Sequence, residues 1–375
     1  MALPRVLVAD DQPDILQALR LLLSDAGFSP DLVGSVDDVI DRVTSDSYDL
    51  LLMDLNYTRD TTSGREGLDL LDQVHSRDNG LPIVVMTGWG SIETAVDAMR
   101  RGAKSFVQKP WDDTTLVEVV RREVSDGRAL RRRDARLAHE HAEAGLIQRA
   151  LLPSAMPAIN GCELAARWTP AFGIGGDFFD VLRFSDTRVG IAIADVIGKG
   201  LPAALLMSNL QAAVRAFASS TAEPEDVCVS VNRLLCRNIA AGKFVTFCYA
   251  VVDTAQRTVS FANAGHNPPM LLHRDGSVDR LNTAGLVLGV TADWQYTGGT
   301  YSLEAGDRLV CFTDGITEAE DASREQFGDR RLLDTIRRHQ LGTADALVQA
   351  VSDAVEMWTG GVAQDDATLL AVAVG

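Results

Sequence analysis

The aspartates of this chain that could do chemistry fall into two sets. Asp10, Asp11 and Asp54 lie in the first third. Asp177, Asp195, Asp314 and the pair Asp365-Asp366 lie in the remainder. Carboxylates packed together repel unless a cation joins them, and Mg²⁺ takes oxygen ligands and keeps phosphoryl groups in its shell. In the first set, Asp54 could then act as nucleophile on a phosphoryl donor and form an acyl phosphate. Thr87 and Lys109 supply a hydroxyl and an ammonium that could bind the new phosphoryl oxygens. In the second set Asp177, Asp314 and the Asp365-Asp366 pair stand beside glycine or another acid, and Asp195 is followed closely by Gly198. The stretches are Gly175-Gly176-Asp177, Ala194-Asp195-Val196-Ile197-Gly198-Lys199-Gly200, Thr313-Asp314-Gly315 and Asp365-Asp366-Ala367-Thr368. One Asp-Gly is usually only a turn. Four such stretches point to a shared metal site, and two metals with oxygen ligands suit phosphate ester hydrolysis.

The elements that must position these groups differ between the two sets. Over residues 1–120 short apolar runs alternate with amphipathic segments. Arg5–Ala9, Tyr48–Met53, Ile83–Met86 and Ser105–Val107 read as strands, with a weaker one near Asp31–Val33. Ile15, Leu16, Leu19, Leu22 and Leu23 line one helix face, and Ile92, Ala95, Val96 and Met99 another. This alternation predicts an α/β domain, a doubly wound five-stranded parallel sheet of the flavodoxin type. The first set of acids then follows strand C-terminal ends and meets at one sheet edge.

Residues 121–152 form a helical linker between domains 1–120 and 153–375. The pattern predicts one long helix from Thr114 to Leu152, with Leu130, Leu137, Ala144 and Leu151 seven residues apart, a seam suited to a coiled coil and a homodimer. Its arginines, Arg121 to Arg136, read as a solvated or acid-pairing face. Beyond Pro153 strand runs dominate, including Gly190–Ala194, Val245–Val252, Arg308–Phe312 and Thr368–Val374, with helical patterns at Pro202–Ala218, Pro224–Asn238, Arg330–Arg338 and Ala344–Trp358. An α/β sandwich of antiparallel sheets flanked by helices is expected.

On Asp10-Asp11, Asp54, Met86-Thr87-Gly88 and Lys109-Pro110, residues 1–120 resemble the receiver domain of bacterial response regulators. The resemblance implies that Asp54 is the phosphoacceptor, that Asp10 and Asp11 hold Mg²⁺ with it, that Thr87 and Phe106 form the switch pair, and that a sensor histidine kinase is the phosphodonor. Asn56–Glu66 departs from the usual pattern by its length, with Tyr57, Arg59, Asp60 and Arg65 in it. From about Leu146 to Gly375 the chain resembles the SpoIIE-type branch of the PPM metal-dependent protein phosphatases. This rests on Gln148-Arg149-Ala150-Leu151-Leu152-Pro153, Gly176-Asp177, Asp195 with Gly198-Lys199-Gly200, Ala264-Gly265-His266-Asn267-Pro268-Pro269, Thr313-Asp314-Gly315 and Asp365-Asp366. It implies two Mn²⁺ or Mg²⁺ ions, bridged by Asp195. The Val196 carbonyl joins one, Asp314 and Asp365 complete the second, Asp177 acts through water, and Asp366 is the alternative to Asp365. Distant members carry an arginine just before the first motif; here Ala171-Phe172-Gly173-Ile174 holds no cation, which leaves Arg167 as a more distant substitute. His266 is expected to be a hydrogen-bonded structural residue.

The net charge of −17 opposes a nucleic-acid role. No apolar run approaches the ~20 residues that span a bilayer. The five cysteines show no metal or disulfide spacing, which fits a reducing, cytoplasmic setting. The expected function is a response regulator whose receiver controls a metal-dependent serine/threonine protein phosphatase, a phosphoric monoester hydrolase. Its expected substrate is a partner phosphoprotein such as an anti-sigma-factor antagonist. The alternative is a signal-dependent binding module with a non-catalytic phosphatase fold.

Overall fold

A computed structural model of the chain describes residues 3–57, 65–88, 92–240, 242–283 and 285–375. The chain divides into two compact units, Met1–Ala138 and His139–Gly375.

The first unit runs β1 (Arg5–Ala9), α1 (Pro13–Asp25), β2 (Ser29–Val33), α2 (Val36–Ser45), β3 (Leu50–Asp54), α3 (Arg65–Arg77), β4 (Ile83–Thr87), α4 (Ile92–Arg100) and β5 (Ser105–Gln108). The strands form one parallel sheet in the order β2-β1-β3-β4-β5, the flavodoxin-like order. Side chains alternate across a strand, so one strand feeds two cores. Val6, Val8, Leu50, Leu52, Val84 and Met86 pack on one face with Leu19, Leu116 and Val120. Leu7, Leu51, Met53, Ile83 and Val85 pack on the other with Leu70, Leu71 and Val74. That double burial explains why these strands read as near-continuous apolar runs.

One continuous helix, α5 (Asp113–Leu151), follows β5 and ends before Pro153. Its start is held to the first unit by arginines. Arg128 forms a bidentate pair with Asp49, both contacts at 2.7 Å. Arg131 donates to the Tyr48 carbonyl at 2.8 Å and pairs with Asp78 at 3.2 Å. Leu130 and Leu137 are exposed on this helix.

The second unit continues with β6 (Cys162–Thr169), β7 (Phe178–Arg183), β8 (Arg188–Val196), α6 (Leu201–Phe217), α7 (Pro224–Asn238), β9 (Val245–Asp253), β10 (Thr258–Ala264), β11 (Met270–Leu272), β12 (Val278–Arg280) and β13 (Gly298–Ser302). It closes with β14 (Arg308–Phe312), α8 (Asp314–Thr317), α9 (Gly328–His339), α10 (Ala344–Thr359) and β15 (Ala367–Val374). Two antiparallel sheets result, ordered β13-β10-β9-β8-β7 and β12-β11-β14-β15-β6. Alternation again assigns the layers. Leu309, Cys311, Leu370 and Val372 join the core shared with the first of these sheets and with α6 and α7. Val310, Phe312, Leu369 and Ala371 face α9 and α10 instead. The unit is a helix–sheet–sheet–helix sandwich. Its pattern hides β6 and β7, because Arg167, Asp180 and Arg183 interrupt their apolar runs. Among the described residues no helix is long and apolar enough to cross a membrane.

Candidate active sites

In the first unit, Asp10 follows β1, Asp54 ends β3, Thr87 ends β4 and Lys109 follows β5. All four strands are parallel, so these groups share one edge. Asp10, Asp11 and Asp54 each offer a carboxylate oxygen within 4.8 Å of the others. The Lys109 ammonium donates to Asp10 Oδ2 at 2.7 Å and to Asp54 Oδ2 at 2.8 Å. Burial raises the Asp54 pKa, against the pull of Lys109. Asp54 Oδ1 is buried without a hydrogen-bond partner, an acceptor that a hard cation would satisfy, so the donor set fits Mg²⁺. Thr87 is buried and Phe106 is exposed. The Lys109–Pro110 peptide bond is cis. Tyr57 is buried, and burial together with Asp54, Asp10 and Asp11 pushes its phenol pKa up. Within the long Asn56–Glu66 segment, positions 58–64, with Arg59 and Asp60, lie outside the described residues.

The second unit builds its acidic site from strand ends of both sheets. Asp177 immediately precedes β7, whose Phe178 pairs with Ala194 beside Asp195 in β8. Phe312 of β14 pairs with Leu369 of β15. This register sets Thr313-Asp314 beside Asp365-Asp366-Ala367-Thr368, and the Thr368 N–H donates to Thr313 Oγ1 at 2.9 Å. The approach is tight: a Cβ on Gly315 would stand 1.9 Å from the Asp366 carbonyl oxygen, so only glycine lets the two segments meet. A Cβ on Gly176 would stand 2.7 Å from the Val196 carbonyl oxygen.

The carboxylates divide by what they already hold. Asp177 is buried, and its Oδ2 accepts the hydroxyls of Thr313 at 2.7 Å and Thr368 at 2.6 Å. Burial and then Asp195 raise its pKa well above the carboxylate range. Asp366 accepts the backbone N–H of Ala171 at 2.9 Å and of Gly176 at 2.7 Å, so it ties the loop before β7 to the start of β15. Asp195, Asp314 and Asp365 lie near enough for their charges to act on one another. Burial, then Asp314, Asp365 and Asp366, push Asp195 up to about 7. Burial and then Asp365 raise Asp314. Asp365 is half-exposed and pairs with the Lys199 ammonium at 2.9 Å. Of the two adjacent acids, Asp366 is thus occupied by backbone N–H groups, while Asp365 meets a side-chain cation. A set of oxygen donors that destabilise one another's charge fits hard divalent cations such as Mg²⁺ or Mn²⁺.

Several supporting residues take their role from contacts that only the folded chain makes. Thr313 and Thr368 look like motif filler until strand pairing brings both hydroxyls to Asp177. Gln148, buried near the end of α5, makes a two-point contact with Gly175: its amide Nε2 donates to the Gly175 carbonyl at 2.6 Å, and the Gly175 N–H donates to Oε1 at 3.0 Å. Asp180, in the first motif, is buried and serves Arg215 of α6 at 2.7 Å. His266 is buried and neutral, its pKa lowered by burial to about 4. Its Nδ1 lies 2.9 Å from Thr246 Oγ1, and the Thr246 hydroxyl reaches the Asp195 carbonyl at 3.4 Å. Arg167 bonds to Gln349 at 2.8 Å.

The family model described as Stage II sporulation protein E (SpoIIE) matches residues 185–375, just over half of the chain. The chain belongs to the SpoIIE family. Residues 6–121 match the response regulator receiver domain, so this SpoIIE-family chain carries a receiver ahead of a PPM-type phosphatase domain. Phosphoserine phosphatase RsbU of Bacillus subtilis is 32% identical over 229 residues, 60% of this chain and 68% of RsbU. The SiaA PP2C domain of Pseudomonas aeruginosa shares the fold, with a TM-score of 0.58 at 23% identity over 64% of this chain and 98% of that one. The RsbU and RsbW domains of Rv1364c from Mycobacterium tuberculosis give 0.52 at 26% identity over 60% and 63%.

Proposed function

We propose that this chain is a response regulator in which phosphorylation of Asp54 by a sensor histidine kinase controls hydrolysis of phosphoserine or phosphothreonine on a partner protein. The observation that carries the reading is the convergence of Asp195, Asp314 and Asp365 from two sheets, with Asp195 pushed up to about 7 by burial and its neighbours. When bound there, two Mn²⁺ or Mg²⁺ ions would supply Lewis acidity and charge neutralisation for in-line attack of water on phosphorus. Asp195, Asp314, Asp365 and the Val196 carbonyl would hold them. Asp177, fixed by the two threonine hydroxyls, orients the Asp195 side of the site and accepts a hydrogen bond from water. Lys199 pairs with Asp365 at 2.9 Å, and we assign to it the phosphoryl contact that Ala171–Ile174 cannot make. The likeness to phosphoserine phosphatase RsbU supports a phosphoserine substrate, and an anti-sigma-factor antagonist is the partner we assign. In the receiver, Asp10 and Asp11 hold Mg²⁺ beside Asp54, while Lys109 and Thr87 bind the phosphoryl group and Phe106 answers Thr87.

Control runs through α5. Gln148 grips Gly175 next to Gly176-Asp177, and Arg149 stacks on Trp168, whose indole N–H donates to the Asp177 carbonyl at 3.1 Å. A shift in the end of α5 therefore reaches the catalytic loop without a flexible tether. The test is Mn²⁺-dependent hydrolysis of an aryl phosphate and of a phosphoserine protein, with and without a small phosphodonor. Turnover that ignores chelator, or that is unchanged in Asp54→Ala under the phosphodonor, overturns the respective half of the proposal.

A further inference from the structure

A cavity of about 430 Å³ opens beside the acidic site and shares Lys199, Gly315 and Asp365 with it. Its floor is apolar: Ile316, Ala319 and Leu369 line it and are buried. Its wall carries Glu318, Glu320 and Glu356, of which Glu318 and Glu356 are exposed. Of the cations lining the cavity, Lys199 is held by an ion pair and Arg167 by a neutral amide. Lys199 pairs with Asp365 and donates to the Gln364 carbonyl, and Arg167 bonds to Gln349. The three glutamate carboxylates have no ion-pair partner among the described residues. An apolar floor beneath unpaired carboxylates matches a side chain with an aliphatic stem and a cationic tip.

We infer that this cavity binds a lysine or arginine side chain of the substrate, next to the phosphoserine, and so selects phosphoprotein segments with a basic flank. The inference rests on the phosphatase reading above and adds the sequence class of its substrate. An extended chain advances about 3.4 Å per residue, so a basic residue within about three positions of the phosphoserine reaches the cavity. An acidic flank meets the glutamates and is rejected by like charge.

The test uses the full-length protein and three fluorescent phosphoserine peptides that differ at one flanking position: lysine, alanine or glutamate. Binding is read by anisotropy, hydrolysis by phosphate release in Mn²⁺, and a small aryl phosphate is run alongside. The lysine peptide is expected to bind about ten-fold more tightly than the glutamate peptide, with the gain in KM. In the double variant Glu320→Gln, Glu356→Gln the preference shrinks to within about two-fold while aryl phosphate turnover stays at the wild-type rate. Equal binding of the three peptides, or a preference that survives in the double variant, overturns the inference. A lysine preference in binding with no hydrolysis of any substrate upholds the cavity and overturns the phosphatase reading instead.

Discussion

The two acidic sites of this chain solve one electrostatic problem differently. In the receiver, a partly buried lysine lies 2.7 and 2.8 Å from two of the three carboxylates, so the fold itself supplies one cation to that pair. In the phosphatase domain, the lysine at the site is half-exposed and meets one acid, Asp365. Burial and then neighbouring carboxylates raise the pKa of Asp195 and of Asp314, and Asp195 reaches about 7. The comparison shows what each site is built to receive. The receiver leaves one buried oxygen of Asp54 without a partner, enough for a nucleophile and one cation. The phosphatase cluster concentrates more negative charge than its side chains neutralise, a donor set that suits divalent cations.

The largest effect expected from breaking the contrast is on turnover. Asp195→Asn should lower phosphatase kcat by about 10³-fold and leave labelling of Asp54 by a small phosphodonor intact. Mass spectrometry of the labelled protein and an aryl phosphate assay read the two sites separately, and parallel losses would sink the independence of the two clusters.

The lysines sharpen the comparison next. Lys109→Met strips the partner from two buried carboxylates and should destabilise the receiver by about 3 kcal/mol in chelator. Lys199→Met breaks a half-exposed pair and should cost under about 1 kcal/mol. Urea unfolding followed by hydrogen exchange in each domain distinguishes them, and equal costs would contradict the contrast. Thr368→Val removes one of two hydroxyls from buried Asp177 and should cost about 1–3 kcal/mol. The same unfolding assay checks it, with the largest loss of exchange protection at β15.

The smallest effect is a pH dependence away from both sites. His273 lies between Asp279 at 3.1 Å and Asp307 at 3.2 Å. Burial opposes its charge, but the hydrogen bonds and charges of Asp279 and Asp307 outweigh it and raise the pKa above 6.5. A histidine with a raised folded pKa stabilises fully below its unfolded value and loses that contribution as pH rises through the folded one. Melting curves between about pH 5.5 and 8, the range of histidine titration, should show a slight loss of stability that His273→Gln removes. An unchanged slope in the variant would assign the pH dependence elsewhere.

The sequence by itself carried the receiver sheet, both helix pairs of the second unit, the long helix and every acid of the two clusters. These are local or periodic properties: apolar alternation marks a strand, and Asp beside Gly marks a strand-end turn. Several element edges were legible to within a few residues, as with the strand Arg308–Phe312 and the helix α7. What the sequence left open was which acids stay free to act. Asp365 and Asp366 are equivalent in sequence, and only the meeting of β15 with the loop before β7 commits Asp366 to the N–H groups of Ala171 and Gly176. Thr313 and Thr368 likewise gain their role from the pairing of β14 with β15, and Gln148 from the packing of α5 on Gly175. Each of these contacts joins residues far apart in the chain. Hydrogen-bond commitment depends on distances of a few tenths of an ångström, and tertiary packing sets those distances where no local pattern encodes them.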